Sequence, residues 1–123
     1  MEDLEAVLSK YENIKVLNAI HTNNLDCNLS IKLTMLGLNI DSEFCRDQVT
    51  EILERAKSIN RFVRIDMEDS SVTESTIKIF EESKKRFDNV GIVIQAYLRR
   101  SEEDILRLTE IGANFRICKG IYV

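Results

Sequence analysis

Proline is absent from the 123 residues, and histidine occurs once. Without proline, element boundaries must be read from helix caps and changes of hydrophobic period, with Gly37, Gly91, Gly112 and Gly120 as the strong punctuation. With His21 alone, beside Asn23 and Asn24, neither a Ser-His-Asp nor a Cys-His arrangement can be drawn, and His21 reads as a polar helix end. Cys27, Cys45 and Cys118 are odd in number, widely spaced and form no CxxC, which argues against zinc and makes free thiols of a reducing compartment the expectation. The net charge of −4 is spread along the chain, so there is no basic footprint for nucleic acid and no polybasic patch for anionic lipid. No transmembrane run is present, and the acidic opening Met1-Glu2-Asp3-Leu4-Glu5 lacks the basic start of a signal peptide. The expectation is an intracellular protein. The sequon Asn28-Leu29-Ser30 is then a chance match.

What is present suits a globular chain of one domain, with 44% hydrophobic and 31% charged residues, short for any complete α/β barrel. Residues 1–24 predict an amphipathic helix with Leu4, Val7, Leu8, Tyr11, Ile14, Leu17 and Ile20 on its apolar face. Residues 25–123 predict four strands separated by three helices. Leu29 to Thr34 alternates, with Ser30, Lys32 and Thr34 on the polar parity. Asp41 or Ser42 can cap a helix whose stripe is Cys45, Val49, Ile52, Leu53 and Ala56, so Cys45 reads as core. The second strand, about 62 to 67, sets Val63, Ile65 and Met67 against Arg64, Asp66 and Glu68. Thr73 can cap the next helix, with Ile77, Phe80 and Phe87 inward. Val90 to Tyr97 is nearly all apolar except Gln95, as in a strand covered on both faces. Ser101 with Asp104 resembles a short capping box, Ile105, Leu106, Leu108 and Ile111 form the stripe, and Gly112 can end that helix. The last strand sets Phe115 and Ile117 against Arg116 and Cys118.

Strands alternating with helices imply right-handed crossovers and a parallel sheet. Two α/β architectures fit, an open doubly wound sheet and a segment of a (β/α)8 TIM barrel. Neither GxGxxG nor a P-loop is present, whereas each strand carries one polar residue, Lys32, Asp66, Gln95 or Arg116, on the parity that faces a barrel's interior. The barrel is favoured. Lys32 and Asp66 on neighbouring strands can pair across its mouth, and an arginine and an amide further round complete a site for an anionic or electron-rich ligand. A structural ion pair filling the interior accounts for the same residues. Arg64 and Glu68 share the inward parity and remain unassigned; Lys119 lies on the other.

The wording of the strands is more specific than their pattern. Ser30-Ile31-Lys32-Leu33-Thr34-x-Leu36-Gly37-Leu38, Arg64-Ile65-Asp66-Met67-Glu68-Asp69-Ser70, Val93-Ile94-Gln95-Ala96-Tyr97-Leu98-x-Arg100 and Arg116-Ile117-Cys118-Lys119-Gly120-x-Tyr122 follow one another. Together they resemble the proline dehydrogenase family. The resemblance implies a distorted (β/α)8 barrel holding FAD, oxidation of L-proline to pyrroline-5-carboxylate by hydride transfer to the flavin, and onward electron transfer to a quinone at a membrane. It implies a cytoplasmic enzyme, peripheral to the inner membrane, or one on the matrix side of mitochondria in a eukaryote. Lys32 would help hold the proline carboxylate and Asp66 would orient it. Gln95 and Arg116 would hydrogen-bond the flavin ring, and Cys118, Lys119, Gly120, Ile121 and Tyr122 would line flavin and substrate. Ile121 stands where alanine is commoner and Cys118 where valine is usual.

By that resemblance the sequence holds the second to fifth barrel strands and lacks the first, the last three and a final helix bearing a tyrosine and an arginine pair. The expectation is a fragment inactive by itself. The alternative is a half-barrel that self-associates through unpaired sheet edges or complements a missing half. A Schiff-base lyase with Lys32 as nucleophile is a third reading, disfavoured because pairing with Asp66 would keep the amine protonated.

Overall fold

Helix and strand alternate as the hydrophobic periods predict. The computed structural model describes residues 2–119, the side chain of Glu2 excepted. Helix α1 (Glu2–Thr22) precedes strand β1 (Leu29–Ile31), a 3-10 turn (Leu33–Leu36) and α2 (Ser42–Ser58). Then follow β2 (Val63–Ile65), α3 (Thr73–Arg86), β3 (Val90–Gln95), α4 (Ser101–Glu110) and β4 (Asn114–Cys118). Of the two candidate caps for α2, Asp41 serves: its side chain accepts the Glu43 amide at 2.8 Å, satisfying a donor that the first turn leaves without an intrahelical acceptor. Gly112, at φ 67°, takes the left-handed conformation that ends α4.

The four strands lie side by side in the order β1-β2-β3-β4, all parallel. A doubly wound sheet reverses its strand order at a switch point and so sends helices to both faces. Here the order never reverses, and right-handed crossovers place α2, α3 and α4 on one face. That decides between the two architectures in favour of a (β/α) barrel segment. The helix-side face is carried by Leu29 and Ile31, Val63 and Ile65, and Val90, Ile92 and Ile94, all buried. They pack with Ile52, Leu53, Ile77, Phe80 and Leu108, each fully buried. Every such aliphatic or aromatic side chain stabilises the fold by about 1.5–3 kcal/mol relative to exposure. Cys45 is also buried here, and burial, with the Glu68 carboxylate adding to it, pushes its thiol up to about 12.

Several local expectations give way. On α1, Leu4, Leu8 and Tyr11 are 54%, 55% and 54% exposed, while Ala6, Lys10, Leu17 and Ile20 are buried. Apolar residues surround this helix, and its docked side is chosen by polar fasteners: Gln48 donates to the Ala6 carbonyl at 2.8 Å and Lys10 pairs with Glu51 at 2.5 Å. Along α4, Leu108 is buried and Ile105 partly so, but Leu106 and Ile111 are exposed, because no further element covers that side among the described residues. Thr73 is the first residue of α3 rather than its cap, and donates its hydroxyl to the Asp69 carbonyl. The Ser101–Asp104 box does not form: the Ser101 hydroxyl donates to the Gln95 carbonyl, and Asp104 is taken by Arg100. Strands β1 and β2 stop earlier than the alternation suggested. Beyond Ile31 the chain tightens into the 3-10 turn, closed by Gly37 at φ 98°.

Candidate active site

In a parallel sheet, laterally paired residues project on the same face. The registers Ser30↔Arg64↔Gly91↔Asn114 and Val93↔Arg116 and Gln95↔Cys118 therefore define the face opposite α2, α3 and α4. Lys32 and Asp66, one residue past β1 and β2, continue its parity, as the Asp66 amide bonded to the Ile31 carbonyl at 2.8 Å shows. The four polar residues singled out in the sequence share this inner face. Lys32 Nζ lies 3.3 Å from Asp66 Oδ2, with side-chain exposures of 45% and 26%. An ion pair this open adds at most about 1 kcal/mol to stability. It fits a filler of packed interior poorly, since it lines an open cavity of about 480 Å³ together with Leu8, Val16, Ile31 and Met35.

Gln95 ends β3 and is 3% exposed. Its side-chain amide donates to the Met67 carbonyl at 3.0 Å, while Oε1 is buried with no hydrogen-bond partner among the described residues. A buried acceptor left unpaired costs about 1–3 kcal/mol, so an arriving N–H or O–H donor there is favoured. Arg116, in the middle of β4, is exposed, and Cys118 beside Gln95 is half-buried. A buried orphan acceptor, an exposed guanidinium and a small thiol on one face suit a flat heterocycle with both donors and acceptors on its edge, so these residues fit a flavin ring. Lys119 is exposed just past β4; Gly120, Ile121 and Tyr122 lie outside the described residues.

Two inner-face residues carry more than their sequence reading gave them. Arg64 crosses β3 at Gly91, stacks on Phe62 with its guanidinium 4.9 Å from the ring centroid, and donates to Asn114 Oδ1 at 2.8 Å. Burial and then the nearby Arg116 charge make its guanidinium easier to deprotonate than usual. Glu68 is buried and accepts both the amide and the hydroxyl of Thr34, at 3.1 and 2.5 Å. The signal for both was their inward parity.

The chain is similar to known proteins. A family model described as proline dehydrogenase matches residues 1–122. Proline dehydrogenase 1 of Bacillus subtilis subsp. natto is 42% identical over 108 residues, which make up 88% of this chain and 36% of that protein. The proline dehydrogenase of Deinococcus radiodurans is 31% identical over 115 residues, 89% of this chain and 37% of that one. Among solved structures, proline utilization A from Bdellovibrio bacteriovorus, inactivated by N-propargylglycine, superposes with a TM-score of 0.83 at 25% identity, over 96% of this chain and 16% of that one. The chain spans little more than a third of the length of these curated relatives.

Proposed function

The chain belongs to the proline dehydrogenase family, and we propose on that footing that its inner face is part of a site where L-proline is oxidised to pyrroline-5-carboxylate. The carrying observation is the Lys32–Asp66 pair, open to a cavity and on the same face as Gln95 and Arg116. Lys32 supplies the cation for the substrate carboxylate. Asp66 holds that ammonium in place and offsets its charge, so the site binds a zwitterion without a net excess of either sign. Gln95, Arg116 and Cys118 would hold FAD, with Lys119, Gly120 and Ile121 contributing beyond β4 and Tyr122 lining the substrate. Bound flavin supplies a two-electron acceptor for the hydride leaving the carbon next to the ring nitrogen. A quinone at a membrane would take the electrons onward, from a cytoplasmic enzyme or one on the mitochondrial matrix side.

The half-sheet leaves much of such a pocket to be supplied from elsewhere, so the 123-residue chain alone is expected to retain little FAD and to show no turnover. The test is a chimera in which this chain replaces the matching segment of the Bacillus subtilis relative, assayed by proline-dependent dye reduction. Lys32→Ala and Asp66→Asn should each lower kcat/KM at least about tenfold, the value of one good charged hydrogen bond. Full activity in both variants would sink the proposal.

A second reading has its own observation. Leu4, Leu8 and Tyr11 on α1 and Leu106 and Ile117 at the β4 side are exposed, and among the described residues β1 and β4 each pair on one edge only. Such surfaces favour self-association or a complementing half. Light scattering that finds a monomer at high concentration rules out self-association.

A further inference from the structure

The turn that follows Lys32 has no cap of its own. Lys32 precedes Leu33–Leu36 with extended backbone angles, φ −114° and ψ 121°, and makes no side-chain bond to the turn's amides. The first amides of a helical turn lack acceptors within it, and away from water they need one from elsewhere. Here the acceptor comes from the segment after β2, the buried Glu68 carboxylate that takes both the amide and the hydroxyl of Thr34. A buried carboxylate is tolerable only when so satisfied. At the other end of the turn Gly37 donates its amide to the Leu33 carbonyl, and within it Met35 donates to the Lys32 carbonyl at 3.1 Å. Lys32 is thus the residue at which a doubly fastened turn meets the sheet.

We propose that Glu68, acting through Thr34, is a positioning residue for Lys32. By tying the turn after β1 to the segment after β2, it fixes where the ammonium stands relative to Asp66, and makes the pair a preorganised receptor for a carboxylate. An unfastened lysine would have to give up backbone as well as side-chain freedom on each binding event, which weakens binding. The fastening is a matter of geometry; its purpose rests on the proline reading above.

The experiment is competitive acetylation of the lysines of the full chain, read peptide by peptide by mass spectrometry, without flavin or proline. In Glu68→Gln, labelling of Lys32 should rise roughly threefold or more as the pair loosens, with a smaller rise in Thr34→Val and near-recovery in Thr34→Ser. Lys78 on α3 should label as in the parent. Unchanged Lys32 labelling in folded Glu68→Gln and Thr34→Val overturns the proposal and leaves Glu68 a purely structural clamp. If Glu68→Gln unfolds, all lysines rise together, and the contrast between Thr34→Val and Thr34→Ser decides by the same criterion. The chimera assay is separate: inactivity there with responsive Lys32 labelling refutes the proline reading alone.

Discussion

Replacing Gly91 with alanine tests whether Arg64 really crosses the sheet where the structure puts it. A Cβ at Gly91 would lie 2.6 Å from Arg64 Nη1, 2.6 Å from Phe62 Cζ and 2.8 Å from the backbone oxygen of Asn114. The first two neighbours are ends of side chains and can move. The third belongs to β4, paired with β3 at this position, and cannot move without opening the sheet. Overpacking of this kind costs about 1–3 kcal/mol. Displacing Arg64 from Asn114 Oδ1 forfeits a further ~0.5–1.5 kcal/mol per hydrogen bond. Against this, alanine recovers about 0.4–1 kcal/mol by restricting the unfolded chain. The net is a loss of about 0.5–4 kcal/mol, or a fall in Tm of roughly 2–16 °C for a chain of this size, measured by circular dichroism. Adding Arg64→Ala to Gly91→Ala should recover only part of the loss, because the Asn114 oxygen remains in the way. A Gly91→Ala protein as stable as the parent would show that no side chain occupies the lane over β3.

Thiol titration under native conditions should find Cys27 fast, Cys118 slower and Cys45 silent until the chain unfolds, because Cys27 is exposed, Cys118 half-buried and Cys45 buried with its thiol held near 12. Asp41→Ala should cost about 1 kcal/mol in a urea melt, since it removes the acceptor for the Glu43 amide. The α3–α4 contact should loosen in acid. Hydrogen bonds from Arg100, and next from Arg107, hold Glu74 below the ordinary carboxylate range. Because that value is depressed in the folded state, the contribution is complete above the ordinary glutamate value of about 4.3 and disappears as pH falls through the lower folded one. Glu74→Gln should flatten stability against pH in that window, by a small amount because the side chain is 43% exposed.

The alternation of apolar and polar residues made the strands and their inner parity legible, because a period of two leaves no choice of face once one face must be buried. It also carried the barrel preference, though the decisive fact, a strand order that never reverses, is tertiary and has no local signature. Helix α1 shows the limit of pattern reading. With apolar residues on two sides, its docked face was settled by Gln48 and Glu51, which lie on another helix. The caps of α3 and α4 misled for a related reason: Thr73 and Ser101 have the chemistry of caps, yet their hydroxyls serve carbonyls one turn or one strand end away. Glu68 stayed unassigned because its partner, Thr34, is more than thirty residues earlier, and only the fold brings them together.

Why these charged residues point inward follows from the topology. With α2, α3 and α4 all on one face, the other receives no crossover helix among the described residues, and each ionisable group placed there must find an acceptor, a donor or water. Arg64 does so by reaching over Gly91 to Asn114, and Glu68 by capping Thr34; both solutions are internal. Lys32 and Asp66 remain partly in solvent, and Gln95 keeps a buried oxygen unserved. An ammonium with three donors can hold two carboxylates at once, and a lone amide oxygen can accept from a heterocycle's N–H. The internally satisfied residues therefore lie nearer the N-terminal ends of the strands or within the turns, while the capacity to bind something new is concentrated at the C-terminal ends of β1, β2 and β3. That is the end at which barrels of this class carry their chemistry.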